Sequence, residues 1–462
     1  MSVFNSICAL ILAAGKGTRM KTSLPKALHK IIDQPMIFYP LTVLEKTGIS
    51  NSSVVIGHGG HAVKDYLDSS WPSIKVDWQQ EQKGTGHAVM IAEDWWSRFE
   101  HVLVLPGDVP LVSENSINEL LSSHLETGSA LSFLSFSPTS SFGYGRVIRS
   151  REGLRIVEEK DATEEEKLVK EVNSGIYVFR TSHLKDALRN LSDVNSQGEY
   201  YLTDTISELQ STKAPINVLY SDQPQEFEGV NTLLQLAEVT ALMKRQILLN
   251  WMAEGVKFED PDSVRIGPLV RLAQDVEIGA FVQLAGHTVI EQGARIGSFS
   301  LIQNSTVGKL SQLLPHTMIM DSKVGQYVNV GPFSFIRDHS VLDDHSFVGK
   351  FVEIKKSTVG RSSKVPHLSY IGDAVIGTET NIGAGTITCN YDGKNKNTTQ
   401  IGDRCFIGSD TMLVAPVKVE DDCYTGAGSV ITKDVPSGSL AVARARQKTL
   451  KGWVFKKKAD KE

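Results

Sequence analysis

The sequence predicts two architectures in one chain of 462 residues: an α/β domain built on a mostly parallel sheet, followed by a parallel β-helix. In the first half, strand-like apolar segments alternate with helix-like segments, which is typical of a sheet covered by helices on both faces. After Val264, an aliphatic residue followed by glycine recurs many times, which indicates short strands joined by tight turns. The length is enough for several domains of ~100–200 residues each.

The predicted elements of the first half follow one another in strand–helix order. The strands are expected at residues 7–12, 54–57, 74–78, 102–105 and 130–136, and helices at 87–96 and 114–125. In such sheets ligands bind beyond the carboxyl ends of the strands. Further along, apolar residues recur at three- and four-residue spacings and predict a connecting helix over 232–255 that stops at Gly255: Leu233, Leu236, Val239, Met243 and Ile247.

The repeat of the second half becomes strict near its end. Six positions follow one another at intervals of six residues: Ile401, Ile407, Leu413, Val419, Thr425 and Ile431. This period predicts a β-helix in which each short strand forms one side of a prism and each repeated residue fills its interior.

The amino-acid composition excludes several classes of function. The formal net charge of −5 argues against a general nucleic-acid binder, which would carry a basic excess. The four scattered cysteines form no metal-type pair and suit a reducing cytoplasm. No basic segment precedes the first apolar stretch as in a signal peptide, and no apolar run is long enough to span a membrane.

A glycine-rich turn with basic residues follows the first strand. Two alanines and two glycines in residues 12–20 allow close approach of backbone N–H groups, and Lys16, Arg19 and Lys26 add positive charge, a combination that suits a polyphosphate. The turn fits neither a dinucleotide fingerprint nor a P-loop. Asp108 ends another strand and could hold Mg²⁺, or could cap a helix. Asn231 could supply a second oxygen, although its spacing alone favours a helix cap.

Other polar residues stand at breaks in the pattern. Gln79 with Gly84 and Thr85 could read a base edge or form a structural turn, and Gly145, Glu158 and Asn173 could bind sugar hydroxyls or lie at the surface. In the β-helix half, His367 interrupts the repeat and could accept a proton, or be structural. Residues 388–400 form a polar loop between repeats, where such folds often bind ligands.

These motifs carry a family resemblance. Residues 12–20 resemble the signature of sugar-1-phosphate nucleotidyltransferases, and the six-residue repeat resembles the left-handed β-helix of hexapeptide acyltransferases. With the strings at 84–88, 107–110, 197–201, 228–231 and 381–393, essentially the whole chain resembles the bacterial bifunctional enzymes that combine N-acetylglucosamine-1-phosphate uridyltransferase and glucosamine-1-phosphate acetyltransferase activities.

The resemblance implies a domain plan and a function. We expect an α/β nucleotidyltransferase (Rossmann-like) domain at 1–231, a connector helix at 232–255, a left-handed β-helix acetyltransferase domain at 256–446 and a basic tail at 447–462. The implied enzyme acetylates glucosamine-1-phosphate with acetyl-CoA, then transfers uridylyl from UTP to N-acetylglucosamine-1-phosphate, feeding peptidoglycan and lipopolysaccharide synthesis. It implies Mg²⁺, a cytoplasmic homotrimer, and neither nucleic-acid nor membrane partners.

The resemblance also implies roles for individual residues. His367 is the implied general base, and Arg19 and Lys26 assist uridylyl transfer, with Asp108 and Asn231 as the metal ligands. The nucleotide and its sugar contact Leu12, Ala13, Ala14, Gly15, Lys26, Gln79, Gly84, Thr85, Gly107, Asp108, Gly145, Glu158, Asn173 and Asn231. Glucosamine-1-phosphate contacts Arg337, Lys355, Tyr370 and Asn381. Acetyl-CoA contacts Ala384, Asn390, Tyr391, Ser409, Ala427 and Arg444.

The sequence departs from the family pattern at three positions, and three alternative functions are open to it. Pro366 stands where glycine is usual before the histidine, Ser174 replaces a threonine, and Pro106 precedes Gly107. A non-catalytic regulatory subunit is disfavoured by the intact basic residues, Asp108 and His367. A monofunctional nucleotidyltransferase is disfavoured by His367 and the 388–400 loop. A metal hydrolase on the β-helix is disfavoured because its histidines form no convincing set.

Overall fold

The structure, a computed structural model, describes residues 6–151 and 153–459. Two compact units divide between Met243 and Lys244. No helix in the described part of the chain is long and apolar enough to cross a bilayer.

The first unit is built on one large twisted sheet with helices on both faces, and it also contains a separate antiparallel pair of short strands, Lys30–Ile31 and Gln34–Pro35. Its strands are β1 Ile7–Ala13, β2 Lys30–Ile31, β3 Gln34–Pro35, β4 Ser52–Ile56, β5 Lys75–Trp78, β6 His101–Pro106, β7 Leu131–Phe136, β8 Arg146–Ser150, β9 Gly153–Val157, β10 Val172–Arg180 and β11 Ile216–Ser221. Its helices are α1 Phe38–Lys46, α2 Gly60–Ser70, α3 Thr85–Ile91, α4 Glu93–Trp96, α5 Glu114–Thr127, α6 Glu164–Lys167, α7 Thr181–Arg189 and α8 Thr205–Ser211.

The large sheet has the strand order β11-β7-β10-β6-β1-β4-β5, with the β8–β9 hairpin attached to β10. β1 runs parallel to both β4 and β6, as the alternating pattern predicts. Successive β1 residues enter opposite cores, Ile7 and Ile11 on one face and Cys8 and Leu10 on the other. A strand buried on both faces reads as a continuous apolar run, which is why β1 was predictable.

Three features of this unit were not predicted. β10 is antiparallel to both of its neighbours, β6 and β7. The segment expected as one helix at 87–96 is two helices, α3 and α4, that meet at Ala92. The β8–β9 hairpin carries its own short antiparallel pairing, which mixed polar residues conceal in the sequence.

The second unit is a left-handed parallel β-helix with three faces, which confirms the expected fold class. Face 1 contains Lys257–Phe258, Glu277–Ile278, Arg295–Ile296, Gln312–Leu313, Asn329–Val330, Phe347–Lys350, Lys364–His367, Asn381–Ile382, Phe406–Ile407, Tyr424–Thr425 and Leu440–Ala441. Face 2 contains Arg265–Ile266, Gln283–Ala285, Leu301–Gln303, Met318–Met320, Phe335–Arg337, Glu353–Lys355, Tyr370–Gly372, Ile387–Cys389, Met412–Val414 and Val430–Ile431. Face 3 contains Arg271–Leu272, Val289–Ile290, Thr306–Val307, Lys323–Val324, Val341–Leu342, Thr358–Val359, Ala374–Ile376, Thr399–Ile401 and Val417–Val419.

Each coil of the prism adds one strand to each face and pairs in parallel with the coil before it. The six-residue repeat fills the interior: Ile407 and Leu413 are fully buried, and Thr425 is 4% exposed. The helix α9, Leu233–Ala253, precedes the prism, and its Leu248 packs against the first coils of the interior. A last helix, α10 Trp453–Ala459, lies in the predicted tail, of which residues 460–462 fall outside the described part.

The corner between faces 1 and 2 carries a stack of exposed rings. Successive coils place five aromatic residues at this corner, with neighbouring centroids 4.7–5.3 Å apart and nearly parallel planes: Phe281, Phe299, His316, Phe333 and Phe351. All five have positive φ, so the tight turn of each coil directs them the same way. The next coil continues this ring stack with Leu368, which is 64% exposed.

Candidate active sites

A cleft of about 530 Å³ lies in the first unit beyond the carboxyl ends of β1 and β6. It is the position expected for ligands in an α/β sheet. Most of the predicted nucleotide and sugar ligands line it together: Leu12, Ala13, Ala14, Gly15, Lys26, Gln79, Gly84, Thr85, Gly107, Asp108, Gly145, Glu158 and Asn173. The fold therefore gathers residues that are widely separated in the sequence.

Four predicted residues form a polar centre at the edge of this cleft. The Lys26 ammonium forms an ion pair with Asp108 and donates to Asn231 Oδ1 at 2.8 Å. Arg19 donates to the same Asn231 oxygen at 2.8 Å. Carboxylate and amide oxygens thus converge on one cationic group, in a centre whose lysine is largely buried, with its side chain 14% exposed.

The alternative role of Asp108 and Asn231 as helix caps is not what the structure contains. Ser113 caps α5, because its Oγ accepts from the Ser116 N–H. At α9, Gln235 Oε1 accepts from the Thr232 N–H while Thr232 Oγ1 accepts from the Gln235 N–H. This reciprocal pair is a capping box, so the Asn231 side chain is left to contact the two cations.

Gln79 and Gly84 form a compact turn that also lines the cleft. The buried Gln79 side chain donates to the Gly84 carbonyl at 3.0 Å and lies 3.1 Å from His87 Nδ1. Gly84 has φ +97°, and a Cβ there would lie 2.5 Å from the Tyr200 carbonyl oxygen. Only glycine fits this turn, since both its φ and the close backbone approach exclude a side chain.

Gly145, Glu158 and Asn173 face the cleft from the β8–β10 region. Burial raises the pKa of Glu158, and Thr203 donates to its carboxyl at 3.3 Å. Asn173 lies where the pairing of β10 with β7 shifts register, a bulge of the kind that often redirects side chains near active sites.

Two of the family departures fit this region without rearrangement. Ser174 Oγ donates to the Leu134 carbonyl at 2.8 Å and accepts from the Ile176 N–H, so the bulge is anchored by a hydroxyl. Pro106 ends β6 and faces Gly175, where a Cβ would lie 3.0 Å from the proline ring. The glycine therefore leaves room for the proline.

In the second unit, one group of predicted residues follows the corner between faces 1 and 2. His367 ends a face 1 strand directly before Leu368 and has an exposed side chain. In later coils the Asp410 N–H donates to the Ala384 carbonyl and the Gly428 N–H to the Ser409 carbonyl, which stacks these turns. Arg444 donates to the Ala427 carbonyl at the same corner. The ring stack therefore leads into the predicted acetyl-CoA positions.

A second group lies at the corner between faces 2 and 3. Arg337 and Lys355 are in register on face 2, and Arg337 also pairs with Glu353 at 2.8 Å. Tyr370 lies one coil further, with its hydroxyl 3.4 Å from Asn390 Nδ2. A Cβ on Gly372 would lie 2.5 Å from the Tyr370 hydroxyl, so glycine permits the ring to cross the strand.

The chain does not gather all the predicted acetyltransferase residues at one place. Asn381 lies on face 1, in register with Lys364, away from the Lys355 corner. His367 is at the other corner of face 2 from Lys355 and Asn390. Tyr391 is 62% exposed and begins the polar loop, whose Asp392 accepts from the Lys394 and Asn395 N–H groups.

Two polar residues near Lys355 were missed by the sequence analysis. Asp373 lies 3.8 Å from the Lys355 ammonium, and the Lys355 ammonium lowers the pKa of Lys396. Lys396 could have been suspected, because the 388–400 loop is rich in lysine and asparagine. Asp373 has no distinguishing local pattern, since aspartate is common at the turns of this repeat.

Pro366 leaves the strand before His367 intact. Residues Lys364–His367 pair with Phe347–Lys350, with Val348 opposite Val365 and Lys350 opposite His367. Gly349 faces the proline, and a Cβ at Gly349 would overlap the Pro366 carbonyl oxygen. This contact is with the backbone of residue 366, so it requires glycine at position 349 whichever residue stands at 366.

Comparison with known proteins identifies the family of the chain. Residues 8–224 match the nucleotidyl transferase family, and residues 398–433 match the bacterial transferase hexapeptide family. Proteins named bifunctional protein GlmU are 45% identical in Fervidobacterium nodosum, over 98% of each chain, and 42% identical in Desulfitobacterium hafniense strain Y51, over 97% of this chain and 99% of that protein. The one from Heliobacterium modesticaldum is 43% identical over 97% and 98%. The resemblance indicated by the motifs is confirmed, and the chain belongs to the family of bifunctional GlmU proteins.

Proposed function

We propose how the two units of this bifunctional transferase divide its work. The enzyme carries out uridylyl transfer and acetyl transfer in UDP-N-acetylglucosamine synthesis. We assign uridylyl transfer to the cleft of the first unit and acetyl transfer to the β-helix. The observation that carries the assignment is the convergence of Lys26, Asp108 and Asn231 in one cleft, together with His367 on the other unit.

In the cleft, the phosphate oxygen of N-acetylglucosamine-1-phosphate attacks the α-phosphorus of UTP, and the bond to pyrophosphate breaks. No covalent intermediate on the protein is required. The turn after β1 offers backbone donors to the triphosphate, and Arg19 and Lys26 neutralise charge that develops on the leaving pyrophosphate. Glu158, Gly145 and Asn173 orient the sugar.

The Asp108–Asn231 pair also fits Mg²⁺. Its oxygens are hard donors that already converge on a cation, the Lys26 ammonium. In the described part of the chain no three His, Cys, Asp or Glu side chains form a metal cluster, which agrees with an ion that takes few protein ligands and keeps water and phosphate oxygens. When bound, Mg²⁺ would neutralise phosphate charge, and Asp108 and Asn231 are the residues that would hold it.

On the β-helix, the amine of glucosamine-1-phosphate attacks the thioester carbon of acetyl-CoA, and the carbon–sulfur bond breaks to release the thiol. The ammonium form of this amine must first lose a proton, and we assign to His367 the role of the base that accepts it. Arg337, Lys355, Tyr370 and Asn381 bind the sugar phosphate. Ala384, Asn390, Tyr391, Ser409, Ala427 and Arg444 bind acetyl-CoA.

We further propose that the protein is a homotrimer assembled through the β-helix. Support comes from the division of the acetyltransferase residues between two corners of one chain, because a neighbouring prism could bring complementary corners together. The exposed ring stack beside His367 is the apolar surface such a neighbour would cover. We place the enzyme in the cytoplasm, where its four free cysteines would remain reduced.

One assay tests the assignment. Purified protein is given acetyl-CoA, glucosamine-1-phosphate and UTP, with free thiol and pyrophosphate followed separately. The His367→Ala variant should lose ~10²–10⁴-fold in thiol release, the usual contribution of a general base. Its pyrophosphate release from N-acetylglucosamine-1-phosphate and UTP should stay normal. Equal loss of both reactions would contradict the division of work.

A further inference from the structure

The corner between faces 2 and 3 contains one buried carboxylate with partners on the coil before it and on the coil after it. Asp373 is 8% exposed and accepts from Asn390 Nδ2 at 2.5 Å through Oδ2. The Lys355 ammonium lies 3.8 Å from the same oxygen, and the Lys356 ammonium lies 3.7 Å from Oδ1. Asn390 and Lys355 are themselves 7% and 8% exposed. A buried carboxylate of this kind restrains Asn390 and Lys355, because Asn390 would lose a charge-assisted hydrogen bond and Lys355 an ion pair by moving.

The partners of Asp373 belong to two different proposed subsites. Lys355 is assigned to the phosphate of the amino sugar, and Asn390 to acetyl-CoA. Among the described residues, no other carboxylate is joined to both Lys355 and Asn390 by a hydrogen bond or an ion pair. We propose that Asp373 is a positioning residue of the acetyltransferase, whose single carboxylate orients the ligands of both substrates. This inference rests on the proposed function.

The charge around Asp373 supports this role. Lys355, Lys356 and Lys396 surround the carboxylate, and the proximity of Lys355 lowers the pKa of Lys396. Three ammonium groups and one carboxylate leave a net positive corner, which suits a sugar phosphate. The carboxylate offsets the repulsion between the Lys355 and Lys396 ammonium groups, so both can remain beside one another.

The same prism supplies a matched control. Asp321 stands at the same corner of an earlier coil and accepts from Asn304 Nδ2 at 3.1 Å, again 17 residues away. Its φ of 47° is close to the 49° of Asp373, so a substitution meets the same backbone strain at both positions. Within the described chain, the Asp321 side chain contacts no residue that we assign to either substrate.

The test measures KM for glucosamine-1-phosphate and for acetyl-CoA separately in four variants of the full-length protein. Lys355→Met should raise KM for the sugar phosphate alone, and Asn390→Ala KM for acetyl-CoA alone. Asp373→Ala should raise both, each by roughly tenfold or more, as expected for loss of a charge-assisted bond. Asp321→Ala should leave both within about twofold, on the usual behaviour of surface substitutions.

A conservative variant separates the hydrogen bond from the charge. Asp373→Asn keeps an oxygen that can accept from Asn390 but lacks the negative charge. It should restore KM for acetyl-CoA toward that of the unmodified protein, while KM for the sugar phosphate stays raised, because Lys355 and Lys396 then repel each other without a counter-charge.

The outcomes distinguish a failure of the role proposed for Asp373 from a failure of the site assignment. Normal KM values in Asp373→Ala, with the expected effects in Lys355→Met and Asn390→Ala, would overturn the role of Asp373 alone. Unchanged KM values in Lys355→Met and Asn390→Ala would overturn the site assignment, and the role of Asp373 with it. Equal effects of Asp321→Ala and Asp373→Ala would mean that backbone strain, and not positioning, explains the result.

Discussion

Among single residues, the ion pair between Lys26 and Asp108 is the contact on which the proposed uridylyl-transfer site depends most. Neither residue is adjacent to the other in sequence, yet both were identified as candidates because cationic and anionic groups near a phosphate turn have an obvious use. Sequence reasoning could not find Asp373, because its importance depends on the side chains that the two neighbouring coils place around it. Residue types with an evident chemical use could therefore be identified from the sequence, whereas the contacts between residues on different coils could not.

We predict that Asp108→Asn abolishes most uridylyl transfer. An amide cannot replace the negative charge that pairs with Lys26 and that would hold a divalent cation, so pyrophosphate release should fall by ~10²-fold or more, as for other lost electrostatic groups. Thiol release from acetyl-CoA should be unaffected. Asp68→Asn, which breaks an exposed ion pair on α2, serves as the control and should change neither rate. Full pyrophosphate release by Asp108→Asn would contradict the assigned site.

Two buried histidines predict a pH-dependent stability of the first unit. His101 Nδ1 lies 3.0 Å from His124 Nε2, and His124 Nδ1 lies 2.8 Å from Ser132 Oγ. Burial lowers the pKa of His124 from 6.5 to about 4 and also lowers that of His101. As pH falls from about 6.5 to about 4, the unfolded chain binds protons that the folded unit does not. The free energy of unfolding of the first unit should therefore be highest above this pH range and fall as the pH is lowered through it.

The measurement is the urea midpoint of the first unit at a series of pH values, followed by tryptophan fluorescence. The His124→Gln variant cannot be protonated at this position, so its midpoint should decline less between pH 6.5 and 4 than that of the unmodified protein. Identical pH dependence in the two proteins would rule out His124 as the responsible group.

At the element scale, the repeated strands of the β-helix were the most predictable part of the molecule. A six-residue period directs the same position inward on every face, and Ile382, Ile407 and Val419 are buried as expected. The antiparallel β10 was not predictable, because its apolar run looks the same whichever way it pairs. The connecting helix was expected at 232–255 and is Leu233–Ala253, since the Thr232–Gln235 capping box sets its start.

The interior of the β-helix offers a test of this packing. Thr399 is fully buried, and its hydroxyl has no hydrogen-bond partner among the described residues. Thr399→Val keeps the shape and removes an unsatisfied polar group, so it should raise the free energy of unfolding by about 1–2 kcal/mol. Thr380 is also buried, but its hydroxyl donates to the Gly402 carbonyl at 2.7 Å. Thr380→Val should therefore destabilise, and denaturant unfolding that ranked the two variants the other way would contradict the packing argument.

At the scale of the whole molecule, each unit contains its own core and its own set of candidate residues. The cores of the first unit end with residues before Lys244, and the interior of the prism begins with residues after it. The change of period in the sequence predicts a connecting helix over 232–255, and the two compact units divide within α9. These separate cores support our proposal that each unit carries one of the two activities.

We predict that the two activities can be separated by cutting the chain at this division. Residues 1–243 should make UDP-N-acetylglucosamine from UTP and N-acetylglucosamine-1-phosphate without releasing thiol from acetyl-CoA. Residues 244–462 should show the opposite activity and sediment with three times the mass of one chain. A monomeric second fragment with full acetyltransferase activity would disprove the proposed trimer.

The regular pairing of each coil with the one before it has a consequence for synthesis and for inheritance. A ribosome delivers the prism from one end, so every emerging coil meets a finished edge on which to pair, and growth proceeds as addition to a template. The same regularity means that duplication or deletion of a whole coil leaves every remaining pairing intact. The prism can therefore gain or lose whole coils before Arg337, where no residue of the proposed acetyltransferase site lies, while the contacts between Lys355, Asp373 and Asn390 on later coils are kept.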